Sequence, residues 1–304
     1  MSQKLRTAVL GVGYLGQFHA QKHKASPHAQ LVGVFDASPE RAQKIASDLQ
    51  VEAFTNLEQL KGQIDAVTIA ASTQAHYELA LWCLNQGLHV NVEKPIAAEL
   101  VQAEELVRKA RSQNLKLAVG HVERFNPAIK EIKKMNFNAE SFILRREGPF
   151  KTRAADVSVL HDLMIHDVDL LTWLSGSEIQ NFEVVKKKVF TNTWDFAEAH
   201  VQCQNGVTAT LTSSRISVVP QRSLQFVKKG ETLWAHLGQM EIQHCTQTTQ
   251  GPEPVQIKTW TVEKADALQE ETNSFLQAIL ENKEPVVTGE DGLRALEVIE
   301  KLAQ

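Results

Sequence analysis

Six residues near the N-terminus decide the fold, Gly11-Val12-Gly13-Tyr14-Leu15-Gly16. They have the spacing G-x-G-x-x-G, they follow an apolar run at residues 5–10, and a helical pattern comes after them. In this context the first glycine permits a tight turn, the second lets the backbone approach a pyrophosphate, and the third lets helix and strand pack closely. The stretch therefore predicts a dinucleotide at the helix N-terminus, next to Tyr14 and Leu15.

An acidic residue, Asp36, stands 20 residues after Gly16 and ends the next apolar run. A carboxylate there accepts hydrogen bonds from the adenosine ribose and repels a 2′-phosphate, which favours NAD over NADP. Arg41 lies close enough in sequence to keep NADP open as a second cofactor. The alternative role for Asp36 is to cap the next helix, a role that Ser38 can also fill.

Apolar runs alternate with helical patterns up to about residue 120, which is typical of βαβ units and of a parallel sheet buried on both faces. The predicted strands are residues 5–10, 30–35, 64–70, 88–92 and 115–119, and the predicted helices are residues 38–49, 74–86 and 98–112. We therefore predict that residues 1–120 form an α/β Rossmann domain, doubly wound around a mainly parallel sheet.

Beyond residue 120 the chain becomes rich in β-branched and aromatic residues. The predicted strands are residues 182–190, 197–204, 207–217, 223–227, 232–237 and 255–262. Asn205-Gly206 and Lys229-Gly230 predict hairpin turns, and two helical stretches at residues 265–281 and 290–303 close the chain. We predict that residues 121–304 form an α+β domain with a large open, mostly antiparallel sheet, whose C-terminal helix can pack back on the first domain.

Composition narrows the class of protein. A net charge of −4 with interspersed charges gives no general attraction to nucleic acid or to an anionic membrane. Three widely separated cysteines, Cys83, Cys203 and Cys245, make neither a disulfide framework nor a zinc site. The N-terminus lacks the pattern of a signal peptide, and no apolar run approaches the roughly 18 residues that span a bilayer. We expect a cytoplasmic protein.

Two loops fall at the carboxyl edge of the predicted sheet, where ligands bind in such folds. One loop carries Ser72, Thr73 and His76, which we expect to contact the cofactor, although Ser72 or Thr73 can equally cap a helix. The other loop is Glu93-Lys94-Pro95, where Pro95 favours an extended Lys94. We expect Glu93 and Lys94 to contact the cofactor and Lys94 to stabilise a developing alkoxide; the alternative is a solvated lysine.

An acid and a histidine lie four residues apart in His161-Asp162-Leu163-Met164-Ile165-His166-Asp167. If residues 157–174 are helical, Asp162 and His166 share one face. Hydride transfer from a secondary alcohol needs a base, and we predict His166 for that role because an imidazole titrates close to neutral pH, with Asp162 as its partner. The alternative is a metal site, but the acidic and histidine side chains here point around more than one helix face, so we predict none.

Three motifs in this order, the glycine fingerprint, Glu93-Lys94-Pro95 and Asp162-x-x-x-His166, resemble the Gfo/Idh/MocA family of glucose-fructose oxidoreductases and inositol dehydrogenases. The resemblance extends to Thr288-Gly289-Glu290-Asp291-Gly292. It implies a Rossmann domain followed by an open-sheet domain that forms the substrate pocket and joins subunits into a homodimer or homotetramer. It also implies that Lys94 and His166, with Asp162, catalyse oxidation or reduction at a ring carbon of a sugar, cyclitol or sugar nucleotide.

The substrate is suggested by the segment 120–127, Gly-His-Val-Glu-Arg-Phe-Asn-Pro, which is similar to that of family members that oxidise the 3-hydroxyl of UDP-N-acetylglucosamine. In this interpretation His121, Arg124 and Asn126 line the pocket, although Arg124 can equally hold the domain interface. Lys151 and Arg153 can bind a diphosphate, or can be solvated surface charges.

One departure from the family concerns the glycines expected before Asp162, which are replaced by Val157-Ser158-Val159-Leu160. Two alternative functions stay open: a dehydrogenase of a free sugar or inositol, and a non-catalytic dinucleotide-binding regulatory protein. The second is disfavoured by the intact Lys94, Asp162 and His166, because a pure binding protein needs no base beside a lysine.

Overall fold

The structure is a computed structural model that describes residues 4–152, 155–249 and 254–304. The chain divides into two compact units. Unit 1 comprises the chain up to Val122 together with Asp266–Arg294, and unit 2 comprises Glu123–Ala265 and Ala295–Gln304. In the described part of the chain, none of the helices has both the length and the apolar character needed to cross a bilayer.

Unit 1 is built, among the described residues, around a six-stranded parallel sheet with the order β3-β2-β1-β4-β5-β6. The strands are β1 (Leu5–Leu10), β2 (Ala29–Phe35), β3 (Glu52–Phe54), β4 (Ala66–Ile69), β5 (His89–Glu93) and β6 (Leu117–Gly120). The helices are α1 (Gly16–Ala25), α2 (Pro39–Leu49), α3 (Thr73–Asn85), α4 (Leu100–Ser112) and, from the end of the chain, α7 (Ala267–Leu280). The strand order reverses between β1 and β4, and ligands bind at such a point in doubly wound sheets.

Burial explains why these runs form parallel strands. All four residues of β4 and of β6 are buried, as expected where helices cover both faces of a sheet. One cluster of the core joins Val9 and Val34 of neighbouring strands to Ala20 of α1 and Ala46 of α2. The predicted Rossmann fold is confirmed, and each predicted strand matches the observed one to within a few residues.

Unit 2 contains, in its described residues, an eight-stranded sheet with the order β14-β13-β12-β11-β7-β10-β9-β8. Its strands are β7 (Ser141–Glu147), β8 (Ile179–Lys187), β9 (Phe196–Cys203), β10 (Thr208–Ser214), β11 (Gln221–Lys228), β12 (Glu231–His236), β13 (Glu241–Gln247) and β14 (Val255–Thr261). Only the pair β7 and β10 runs parallel among these described strands, so the predicted open, mostly antiparallel sheet is confirmed.

One face of this sheet is covered by helices. They are α5 (Pro127–Lys134), α6 (Ile165–Ser175) and the C-terminal part of α8 (Gly289–Ala303). Ile129, Leu170 and Ile299 from these helices pack in one core with Phe142 and Leu224 of the sheet. The helix that carries the predicted acid and histidine is therefore anchored by its apolar side chains to the sheet of unit 2.

Candidate cofactor and catalytic residues

The glycine turn between β1 and α1 has the geometry of a dinucleotide cradle. A Cβ atom at Gly11, whose φ is +83°, would lie 2.6 Å from the backbone nitrogen of Ala71, and one at Gly16 would lie 1.8 Å from the Gly11 carbonyl oxygen. At Gly13, by contrast, a Cβ atom would meet no heavy atom of the described residues within 4 Å. The packing of the protein itself thus requires the first and third glycines, while the second leaves room for a ligand.

The helix that follows the turn favours an anion. Leu15 precedes α1 and, being apolar, cannot cap it, so the amide groups of the first turn can donate to phosphate oxygens. Tyr14 is exposed, and its ring packs edge-on against Phe18. The residues of this turn fit the pyrophosphate of a dinucleotide.

Asp36 ties the glycine turn to the end of β2. Its carboxylate accepts hydrogen bonds from the backbone nitrogens of Val12 at 2.8 Å and Ser38 at 2.9 Å, and the guanidinium of Arg41 donates to it at 3.1 Å. Ser38, rather than Asp36, caps α2, since its hydroxyl accepts from the Arg41 nitrogen. Arg41 is half-exposed and paired with the acid that the sequence assigns to the ribose.

The loop between β4 and α3 places Ser72 and Thr73 at the carboxyl edge of the sheet, as predicted. Ser72 occupies the N-cap position, but its hydroxyl makes no capping hydrogen bond to the described residues. His76 is buried, with one ring nitrogen 2.8 Å from the Pro95 carbonyl oxygen and the other 3.2 Å from that of Ala71. Burial outweighs these carbonyls and lowers the pKa of His76, so the neutral ring, which has one N–H, donates to one of the two carbonyl oxygens and only packs against the other.

Glu93 and Lys94 lie where β5 ends, next to β4 and β6 in the sheet. Glu93 is buried and hydrogen-bonded to His19 of α1 at 2.8 Å, whereas Lys94 is partly exposed and is followed by a cis peptide bond to Pro95. His121, one residue after β6, is fully buried in unit 1. Glu93 is thus held in the interior beside Lys94, the residue predicted to stabilise an alkoxide.

In unit 2 the helix carrying Asp162 and His166 begins with an irregular turn. Leu160–Met164 form a π-helical turn, and α6 follows from Ile165. Such turns widen the spacing of side chains and occur often at functional sites. Asp162 and His166 are both partly exposed, so both are accessible to a ligand.

Three of the acidic and histidine side chains considered as metal ligands in this segment bind different partners. His161 bonds Glu300 at 2.8 Å, Asp167 accepts from Arg146 at 2.8 Å, and Asp169 accepts from Arg124 at 2.6 Å. No metal cluster is formed by them within the described residues.

A buried network of ion pairs surrounds α6, and sequence reasoning missed most of it. Arg146 of β7 bonds both Asp167 at 2.8 Å and Glu123 at 3.1 Å, and Arg222 of β11 also pairs with Glu123. Burial raises the pKa of Asp167 even though Arg146 opposes the rise. The network ties the first turn of α6, which also carries His166, to the sheet.

Two residues predicted to line the pocket are buried and make hydrogen bonds within unit 2. The Arg124 guanidinium is buried and donates twice to Asp169, at 2.6 and 2.9 Å. Asn126 is buried and caps α5, with its side-chain oxygen accepting from the Ala128 nitrogen at 3.0 Å. Both side chains therefore hold unit 2 together.

A cavity of about 300 Å³ opens beside Asp162 in unit 2. It is lined by Arg146, Glu147, Gly148, Pro149, Lys151, Asp162, Leu163, Ser214, Arg215 and Pro220. Lys151, an exposed residue, lines it, whereas Arg153 lies outside the described residues. The lining thus combines three cations with two carboxylates, Glu147 and Asp162, and suits part of a polar ligand.

The fold and these residues define a class of oxidoreductase with two units. The first unit has a dinucleotide-binding turn where the strand order of the Rossmann sheet reverses, and the second has a helix with an acid and a histidine packed on its sheet. Residues 5–121 match the model of an oxidoreductase family with an NAD-binding Rossmann fold, and residues 128–233 match the GFO/IDH/MocA C-terminal domain. The chain belongs to the GFO/IDH/MocA family, and it is an NAD-binding oxidoreductase.

Relatives with known names span almost the whole chain. UDP-N-acetylglucosamine 3-dehydrogenase of Acidithiobacillus ferrooxidans is 35% identical over 96% of this chain and 94% of its own length. The solved structure of that enzyme has a TM-score of 0.93 at 32% identity, covering 99% of this chain and 97% of the other. Myo-inositol 2-dehydrogenase of Thermotoga maritima is 25% identical, over 96% of this chain and 93% of its own.

Proposed function

We propose that this chain oxidises the ring 3-hydroxyl of UDP-N-acetylglucosamine, with NAD as the cofactor. The observation that carries the substrate class is the cavity beside Asp162, where the Lys151 ammonium can donate charge-assisted hydrogen bonds; Arg146 and Arg215 also line it but are paired with Asp167 and Asp195. A diphosphate needs charge-assisted hydrogen bonds of this kind, whereas an uncharged inositol or free sugar does not. The similar enzyme of Acidithiobacillus ferrooxidans, named for this substrate, supports the same assignment.

The catalytic roles in this proposal follow from the chemistry of the side chains. His166 accepts the proton of the ring hydroxyl, Asp162 orients the imidazole or a neighbouring hydroxyl, and the Lys94 ammonium stabilises the alkoxide that forms. The glycine turn would hold NAD, which would supply the acceptor for the hydride of the ring carbon, so that the alcohol would become a ketone. Arg124 and Asn126 act through the packing of unit 2 rather than by touching substrate.

In this proposal each domain has its own role. We assign the dinucleotide to the Rossmann domain, predicted as residues 1–120, and the substrate pocket and subunit contacts to the domain predicted as residues 121–304. The face of the sheet opposite the core carries Ile143, Val185, Trp234 and Ile257, and the last three are exposed by 54, 36 and 64%. Apolar side chains on an open sheet suit pairing with a second copy of this chain, as a homodimer or within a homotetramer.

The test is NADH formation by the purified protein with UDP-N-acetylglucosamine, N-acetylglucosamine, myo-inositol and scyllo-inositol. We expect turnover with the nucleotide sugar alone, and a rise in melting temperature with UDP in the presence of NAD. Turnover with an inositol and none with any UDP-sugar would refute the substrate class.

A second experiment tests the residue roles. Lys94→Ala and His166→Ala should each abolish turnover while NADH binding, followed by fluorescence, stays at the level of the unaltered enzyme. Lys44→Ala, which removes an exposed lysine of α2, is the control and should leave both unchanged. Turnover that survives in one variant removes that residue from the mechanism.

A further inference from the structure

Three buried titratable side chains meet in unit 1, from three elements far apart in the sequence. They are His19 of α1, Glu93 at the end of β5, and Glu271 of α7, and their nitrogen and oxygen atoms lie within 4.8 Å of one another. His19 is fully buried, and Glu271 and Glu93 are exposed by 3% and 8%. Two carboxylates this close in the interior repel each other unless one holds a proton.

The groups around Glu271 come from each neighbouring element. From β5, the Asn91 amide donates to one Glu271 oxygen at 3.4 Å, and Glu93 lies two residues further along the same strand. From α1, His19 faces the cluster, and His23 lies one turn further on, bonded to the hydroxyls of Thr7 and Thr68. The charges of Lys94 and His76 act on Glu93.

Hydrogen bonding within the cluster is incomplete. Among the residues that the structure describes, the second oxygen of Glu271 and the Nδ1 atom of His19 are buried without a hydrogen-bond partner. A charged carboxylate with a bare buried oxygen is costly, whereas the protonated acid costs much less. The geometry therefore favours a neutral Glu271.

The electrostatic balance agrees with this geometry. Burial, together with the charge of Glu93, raises the pKa of Glu271 to about 8. Burial opposes ionisation of Glu93, but the bond to His19 and the charges of His19 and Lys94 outweigh it, so the pKa of Glu93 is lowered. In the same way Glu93 outweighs burial at His19 and raises its pKa. At neutral pH Glu271 therefore holds a proton, and Glu93 is the ionised carboxylate of the cluster.

We propose that Glu271 is a positioning residue for Lys94: in its protonated form it lets Glu93 remain the single anion of the cluster and so fixes the strand end that presents the lysine. This inference rests on the proposed catalytic role of Lys94. When Glu271 loses its proton, two buried carboxylates repel, and Glu93 and the adjoining Lys94 shift. The rate of hydride transfer then falls at alkaline pH, whereas substrate binding in unit 2 is unaffected.

The decisive variant is Glu271→Gln, because the amide has the shape of the protonated acid and stays neutral at every pH. We expect its kcat to lie within about twofold of the unaltered enzyme at pH 7. Above about pH 8 the unaltered enzyme should lose about tenfold per pH unit, as one proton is released, while the variant keeps its rate. KM for the sugar substrate should not change in either.

Two further variants separate positioning from general destabilisation. Glu271→Leu is also neutral at every pH but loses the hydrogen bond from the Asn91 amide, so its kcat should be lower at pH 7 and should then stay constant above pH 8. Glu281→Gln removes an exposed carboxyl just after the same helix and should leave the pH profile unchanged. Superimposable profiles for Glu271→Gln and the unaltered enzyme would overturn the proposal.

A measurement without substrate separates failure of this inference from failure of the proposed function. The folded state raises the pKa of Glu271 from 4.5 to about 8, so its proton stabilises the fold fully below about pH 4.5, and this contribution is lost as the pH rises through 8. The melting temperature of the unaltered protein should therefore fall relative to that of Glu271→Gln between these values. Parallel curves would contradict the proton on Glu271, whatever the substrate proves to be.

Metal analysis completes the test, since one histidine and two carboxylates can also bind a divalent cation. We expect no stoichiometric metal in the purified protein. A metal present at one per chain and lost in Glu271→Gln would overturn the proposal.

Discussion

The second and third glycines of the fingerprint should respond differently to the same substitution. A methyl group at Gly13 points into open space, so Gly13→Ala should fold normally. It should even gain about 0.4–1 kcal/mol, because alanine restricts the unfolded chain. A methyl group at Gly16 would lie 1.8 Å from the Gly11 carbonyl oxygen, far inside van der Waals contact. The backbone must shift to relieve this, so Gly16→Ala should destabilise the protein by about 1–3 kcal/mol.

For cofactor binding the ranking should be reversed: Gly13→Ala should lower the affinity for NADH directly, although it does not destabilise the fold. At Gly13 the added methyl group occupies the space through which the pyrophosphate approaches the backbone. Losing a charge-assisted hydrogen bond there costs about 1.5–3 kcal/mol, which corresponds to a roughly 10- to 150-fold weaker affinity for NADH. The fold and the function of one short turn thus depend on different glycines.

Thermal unfolding and fluorescence titration with NADH, both on the full chain, measure the two effects. Gly62→Ala, at an exposed turn with φ of +71°, is a control for strain remote from the cofactor: it should lower stability and leave NADH affinity unchanged. The reasoning fails if Gly13→Ala binds NADH as tightly as the unaltered protein, or if Gly16→Ala unfolds at the same temperature.

Three further predictions concern unit 2. Arg146→Met should destabilise by about 3–5 kcal/mol in urea unfolding, because it leaves Asp167 buried without its cation; a loss below about 1 kcal/mol would contradict the network. Lys151→Ala should raise KM for a UDP-sugar about tenfold with little change in kcat, measured by initial rates, and an unchanged KM would remove Lys151 from the diphosphate site. Trp234→Glu should lower the molecular mass measured by light scattering if the proposed homo-oligomer forms through this sheet face, whereas Val218→Glu, a loop residue exposed by 90%, should not, and an unchanged mass for Trp234→Glu would contradict the proposed interface.

Local patterns were sufficient for most of the fold. Four of the six described strands of unit 1, β1, β4, β5 and β6, each contain four consecutive buried residues, and their apolar character locates them. Three described strands are absent from the prediction. β3 has only three residues, Glu52–Phe54, β7 has an apolar run of only three residues within Ser141–Glu147, and β13, Glu241–Gln247, contains a single strongly apolar side chain, Ile242. Strands this short or this polar are recruited by their neighbours in the sheet, which no local pattern records.

The candidate site likewise contains some residues that the sequence identifies and others that only the fold brings into place. The glycine turn, Lys94, and the pair Asp162 and His166 could be predicted because spacing within one segment is enough to recognise them. The π-helical turn before α6 could not, since nothing in Leu160–Met164 distinguishes it from an ordinary helical turn. Glu271 stands in a charged segment that resembles a solvated helix face, and only the tertiary fold buries it.

The buried ion pairs of unit 2 could have been predicted in part, although the periodicity of apolar residues does not reveal them. α6 buries the apolar Ile165, Val168, Leu170 and Leu171, and its buried residues also include Asp167 and Asp169. A charge inside a buried helix must be paired, so Asp167 and Asp169 by themselves predict two cations from elsewhere in the chain. Arg146 and Arg124 meet that requirement. The position of the arginines follows from the fold, but the need for them follows from two aspartates among the buried residues of α6, one and three residues after His166.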